Sequence, residues 1–247
     1  MRKTMLLLPL LGVVTAGVQA DENESGFALG IGVASEDSIY KGVGTETEAL
    51  PFISYENGIF YIQGPEAGYY FIDNDDFKIG ALARYRTDGY KASDSSDLKG
   101  MDERKGAFEL GITASYDTDY GEWSATFASD ASSEHEGNEI ELGWEKRFPV
   151  SAKWSVTPEA SVSYRSDDLN NYYYGVKTSE ATVNRAAYTA DADTVYEIGI
   201  SAMYQIDQQQ MIRMGASYTS YGDEIADSSI VEDDKSTSVS LLYMYRF

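Results

Sequence analysis

One pattern limits what this chain can become. Apolar residues alternate with polar or small ones, segment after segment, from Phe27 to Phe247. Tyr196, Ile198, Ile200, Ala202, Tyr204 and Ile206 are interleaved with Glu197, Gly199, Ser201, Met203 and Gln205. Trp154, Val156, Pro158, Ala160, Val162 and Tyr164 follow the same rule, as do Ile140, Leu142, Trp144 and Phe148. Side chains of a β-strand point to opposite faces with period two, so each segment reads as a strand with one apolar face. Helical spacing is scarce. The last strand alternates to the terminus, with Val239, Leu241, Tyr243, Tyr245 and Phe247 on one face.

The connections alternate too. Short turns fall at 56–58, 74–76, 119–121, 150–153 and 207–209, and longer polar stretches at 36–46, 87–104, 130–137, 167–193 and 222–235. Short turns on one side and long loops on the other mark an outer-membrane barrel. The up-down rule predicts 12 strands, near 26–36, 48–55, 59–64, 68–73, 77–87, 106–118, 122–130, 138–148, 154–166, 194–206, 210–221 and 236–247. The count falls to 10 if the third and fourth merge or pair weakly.

A soluble β-sandwich would show the same alternation, so other features must separate the two. Arg2 and Lys3, the apolar run from Met5 to Val14, and Val18-Gln19-Ala20 form the layout of a secretory signal peptide. The expected organisation is a leader at 1–20 and a single barrel domain at 21–247. Tyrosine is abundant, at 20 of 247 residues. Aromatics fall near predicted strand ends, at Phe27, Tyr85, Tyr116, Trp123, Trp144, Phe148, Trp154, Tyr164, Tyr218 and Tyr243. That is where a membrane interface collects them. The prediction is an all-β, transmembrane, antiparallel up-and-down barrel in the outer membrane of a Gram-negative bacterium, in contact with its lipids and lipopolysaccharide.

Composition excludes several functions. The formal net charge is −22, the wrong sign for nucleic acid. There is no cysteine and one histidine, which excludes a thiolate or multi-histidine metal site. No cofactor, metal site or catalytic residue is predicted. The histidine, His135 in Ser132-Ser133-Glu134-His135-Glu136, reads as a solvated loop residue rather than part of a triad. The carboxylates Asp223, Glu224, Asp227, Glu232, Asp233 and Asp234 read as partners for divalent ions shared with lipopolysaccharide phosphates, not as a built site.

On a barrel, the face opposite the apolar one lines the lumen. It would carry Lys78, Arg84, Arg86, Glu109, Glu139, Glu141, Glu145, Arg147, Glu159, Arg165, Glu197, Arg213 and Arg246. Charges in such a space must be paired or hydrated. Either ion pairs fill a closed lumen or a narrow water channel runs through it.

Several segments resemble the MipA/OmpV family of outer-membrane proteins: Tyr40-Lys41-Gly42, the run from Leu50 to Tyr61, Leu98 to Arg104, and Asn171-Tyr172-Tyr173-Tyr174-Gly175-Val176 with Glu180, Arg185 and Tyr188. The ending Tyr245-Arg246-Phe247 is similar as well. Ser228-Ser229-Ile230-Val231 departs from the Ser-Pro common in the family at that point, which touches only the local turn. The motif positions of unassigned role are Tyr40, Gly42, Pro51, Gly58, Gly100, Met101, Arg104, Tyr173, Tyr174, Gly175, Val176, Glu180 and Arg185. Gly42, Gly58, Gly100 and Gly175 are expected to supply positive φ, and Tyr172 to Tyr174 to pack a long loop on the rim. The resemblance implies a scaffold for a murein transglycosylase and a murein synthase, with no catalytic residues. It also implies that barrel assembly machinery reads the strand ending at Phe247. Alternatives are a small solute pore, or a surface adhesin acting through loops 87–104 and 167–193.

Overall fold

Each alternating segment is a strand in the computed structural model, which describes residues 26–247. The leader predicted at 1–20 lies outside the described residues. In chain order the strands are Gly26–Asp37 (β1), Thr45–Glu56 (β2), Phe60–Gln63 (β3), Glu66–Asp73 (β4), Phe77–Arg86 (β5), Ala107–Thr118 (β6), Gly121–Asp130 (β7), Asn138–Glu145 (β8), Phe148–Pro149 (β9), Trp154–Arg165 (β10), Asp193–Gln205 (β11), Gln210–Tyr221 (β12) and Lys235–Arg246 (β13). Neighbours in sequence pair antiparallel, and β13 returns to β1 with Ala28 opposite Arg246 and Glu36 opposite Ser238. The sheet is closed.

β8 and β9 are one wall strand. Glu145 faces Glu159 and Phe148 faces Val156 on β10, in unbroken register. The interruption falls where Lys146 N–H donates to Pro158 O at 3.2 Å, because proline has no N–H to give back. Counted this way the wall has 12 strands, with β3 and β4 distinct.

The wall is thinnest beside β2. Ser54 to Glu56 pair with β3, and Gly64 N–H reaches Ile53 O. Beyond that point, among the described residues, β2 has no ladder partner on its β3 side. Pro51 shares that side with Ile53, so a residue without an N–H stands where one would go unpaired.

The outward face is apolar and exposed. Ile31 is 64% exposed, Ile112 58% and Ile198 61%. In water such a belt would drive association, whereas lipid is its proper solvent. A sandwich would have buried these residues. Aromatics pair at the short-turn end, with Trp123 6.4 Å from Trp144, Trp154 4.8 Å from Tyr204 and Phe27 5.6 Å from Phe247. The long loops gather at the other end. Two of them hold short helices where the sequence suggested plain polar loop: Asp167–Tyr174 (α1) and Asp223–Ala226 (α2). Ser166 caps α1 by accepting from Leu169 N–H, and Asp167 and Asp168 complement its N-terminal dipole.

Candidate functional site

The loops do not float. Ile39 and Tyr40, then Tyr90, Leu98 and Met101, then Leu169, Tyr173, Tyr174 and Val176, then Ile225, Ile230 and Val231 form one apolar core above the barrel. Leu98, Leu169, Tyr173 and Ile225 have no exposed surface. Four loops close to one another thus build a cap over the extracellular mouth. It is held by packing, because dispersed loop residues gain as much from burial as core residues elsewhere.

Most of the family-motif residues meet here. Tyr40, Met101, Tyr173, Tyr174 and Val176 are in the cap core. Arg104 donates to Tyr172 O at 2.6 Å and to the Glu180 carboxylate at 3.0 Å. Glu180 also accepts from the backbone N–H groups of Asp102 at 2.8 Å and Lys177 at 2.9 Å. Arg185 donates to Asp97 O at 2.5 Å and Glu180 O at 2.7 Å. Arg104, Glu180 and Arg185 therefore clasp the loop 87–106 to the loop 166–192. Burial works against the charged form of Glu180. The bonds from Asp102, Arg104 and Lys177 outweigh it and hold the carboxyl below the ordinary glutamate range. Gly42 and Gly100 have φ of +70° and +89° and shape cap turns. Gly175 does not have positive φ: at −69° it ends α1, and a Cβ there would lie 2.2 Å from Asn171 O. Close approach, not handedness, is what it supplies. Pro51, on the β2 edge, and Gly58, with φ of +88° in a short turn at the far end, stand apart from the cap.

Below the cap lies an ionic layer. Glu109 accepts from Arg84 at 2.6 Å and from Arg86 at 2.6 Å. Glu139 accepts from Arg84 at 2.8 Å and Arg165 at 2.8 Å. Asp88 adds a contact to Arg86 at 3.0 Å. Three guanidiniums face three carboxylates across strands β5, β6, β8 and β10 and the loop that follows β5, so these six groups are charge-balanced and hydrogen-bonded to one another. This is the ion-paired alternative for the upper lumen.

His135 departs from expectation. It is buried, with Nε2 3.2 Å from Glu109 Oε1 and Nδ1 accepting from Gly137 N–H at 3.0 Å. The proton is thereby assigned to Nε2. Asp130 folds the loop around it by accepting from the N–H groups of Ser132, His135 and Glu136. Ser132 donates to Asp130 and not to the imidazole, so no hydroxyl nucleophile is aligned. Sequence reasoning also passed over Tyr90, Leu169, Ile225 and Ile230. Their signal was available as isolated apolar residues inside otherwise polar loops.

Farther down, a cavity of about 60 Å³ is lined by Glu122, Glu141, Glu145, Glu159 and Glu197 with Tyr61 and Tyr70. On the other flank, Phe52, Met203, Met211, Leu242 and Met244 form an apolar cluster inside the barrel. The lumen is thus layered: cap, neutral ion layer, acidic cavity beside an apolar wall. Among the inward positions read from alternation, Arg84, Arg86, Glu109, Glu139 and Arg165 meet in the ion layer and Glu141, Glu145, Glu159 and Glu197 line the cavity. Arg147 is a correction: it lies past the regular part of β8 and is exposed at the periplasmic rim rather than enclosed in the lumen.

A family model described as MltA-interacting protein MipA matches residues 29–247. The chain belongs to the MipA family. Within that family, the MltA-interacting protein of Escherichia coli (strain K12) is 29% identical over 98% of both chains. Outer membrane protein OmpV of Vibrio cholerae is 29% identical, covering 91% of this chain and 88% of its own. The NanC porin, a solved structure, aligns with a TM-score of 0.49 at 10% identity over 89% of this chain and 100% of the porin. This MipA-family barrel is a protein of the outer membrane.

Proposed function

We propose that this protein is a non-catalytic, non-conducting anchor that holds enzymes of murein synthesis and remodelling at the outer membrane. The observation that carries the reading is the filling of the upper lumen. Side chains without exposed surface lie over a neutral layer of paired charges, and both stand in the way of water moving outward. A barrel so filled serves as a post rather than a conduit. Family membership supports the choice of partner, since one relative bears the name MltA-interacting protein. A murein transglycosylase and a murein synthase are the partners this reading assigns. The single histidine and Ser132 lack the alignment that acyl-transfer chemistry needs.

The test is capture from periplasmic extract on the detergent-folded protein, read by mass spectrometry against an unrelated barrel. Enrichment of a murein transglycosylase or synthase is expected, and a profile identical to the control overturns the proposal. One observation favours a second reading, a small solute pore: the acidic cavity is water-sized space left inside the lower lumen. Steady single-channel steps from the intact protein in planar bilayers would establish that reading in place of the first.

A further inference from the structure

The periplasmic rim is not uniform. The stretch 146–153, Lys146-Arg147-Phe148-Pro149-Val150-Ser151-Ala152-Lys153, runs from the end of the β8–β9 wall strand through the turn before β10 and carries three basic residues and no acidic one, in a chain of net charge −22. Positions 147–154 are all exposed. The segment is built rather than loose. Val150 N–H donates to Trp154 O at 2.8 Å, and Ser151 Oγ accepts from the N–H groups of Lys153 and Trp154. Lys146 Nζ donates to Asp119 O at 2.6 Å and Lys153 Nζ to Ile206 O at 2.7 Å. Each ammonium is pinned to the rim by one bond, and an ammonium has three donors.

All three tryptophans of the chain flank this segment. Trp123 and Trp144 are directly opposite each other on β7 and β8, and Trp154 opens β10. They belong to the outward face, with Phe148 and Val150 exposed at 45% and 66%. Tryptophan settles at headgroup depth, and long basic side chains reach from that depth to phosphates. The carboxylates of Asp119 and Asp207 on flanking turns bound the basic stretch on either side.

We infer that the rim formed by 144–154 is a binding surface for anionic phospholipid headgroups of the periplasmic leaflet. The lipid-facing aromatics favour a headgroup over a soluble anion, since a protein or glycan partner would have no use for rings aimed into the bilayer. The inference is independent of any murein enzyme. It fixes the barrel's rotation against the leaflet, with its β7 to β10 flank drawn to negative lipid.

The test uses the full chain folded in neutral detergent, with phosphatidylglycerol or phosphatidylethanolamine added in mixed micelles. Tryptophan emission is the readout, because every tryptophan adjoins the surface. A saturable shift with phosphatidylglycerol and none with phosphatidylethanolamine is expected. The K146Q/R147Q/K153Q variant should raise the midpoint at least tenfold while keeping the gel mobility of a folded barrel. Should the triple variant fail to fold, R147Q alone, at an exposed position, should raise it about fivefold, the effect of one basic side chain at an anionic surface. Equal response to both lipids, or a response unchanged by the substitutions, overturns the inference. So does a shift produced by inorganic phosphate alone, which would mark a free-anion site, or by soluble murein peptide in place of lipid.

Discussion

Glu109 shows how much a single residue carries. Its carboxylate serves Arg84, Arg86 and His135 without any exposed surface. Glu109→Ala leaves three guanidiniums to share two carboxylates, Glu139 and Asp88, and the expected loss is about 3 kcal/mol. Urea unfolding of the refolded barrel in lipid vesicles measures it. Glu180 gives a pH prediction. Its folded-state pKa lies below the unfolded value, so its contribution is complete above the unfolded value and is lost as pH falls through the folded one. Acid should therefore loosen the clasp. Pepsin cleavage within 166–192, normalised to an unfolded control, should rise across that window, and Glu180→Gln should be cleaved readily throughout. Not every residue was equally legible. Glu109 and Glu139 were placed inside by period two alone. His135 was not, because a five-residue tip has no periodicity and its burial depends on Glu109 from strand β6 and Tyr172 and Tyr173 from helix α1.

Elements were legible where their pattern was local. Alternation located every strand of the wall, and Pro158 explains why one of them is interrupted. The α1 helix was missed, although Ser166-Asp167-Asp168 is an N-terminal signature, because its one-sided apolar face, Leu169 and Tyr173, is only two residues long. β2 makes the sharpest element-level prediction. Pro51→Val would add an N–H to the unpaired side of the strand. The refolded fraction should fall as chains pair edge to edge, while unfolding of the folded protein stays within about 0.5 kcal/mol of the parent. Equal refolding yields would show that this side is covered in the folding chain.

At the level of the whole molecule, the cap could not have been foreseen as a unit. Its core joins Tyr40, Leu98, Tyr173 and Ile230, which no sequence window holds together. The family resemblance did mark many of its members, and the structure supplies the reason they belong together. If the cap is the seal, replacing 167–191 with a short flexible linker should convert a silent barrel into a conducting one. The current should favour cations, because Glu141, Glu145, Glu159 and Glu197 then face open water. A reversal potential measured across a salt gradient reads this directly. Continued silence would move the block down to the ion layer.

The seam between β1 and β13 has a consequence for timing. The cylinder is completed by joining the first strand to the last, so no portion of the wall can finish ahead of the rest. Joining ends so distant adds little to the entropy cost, which grows only with the logarithm of the span. The burden is one of order: both margins stay open until the final strand arrives. A chain stalled midway through export has no half-cylinder to rest in, since lipid tolerates no open margin.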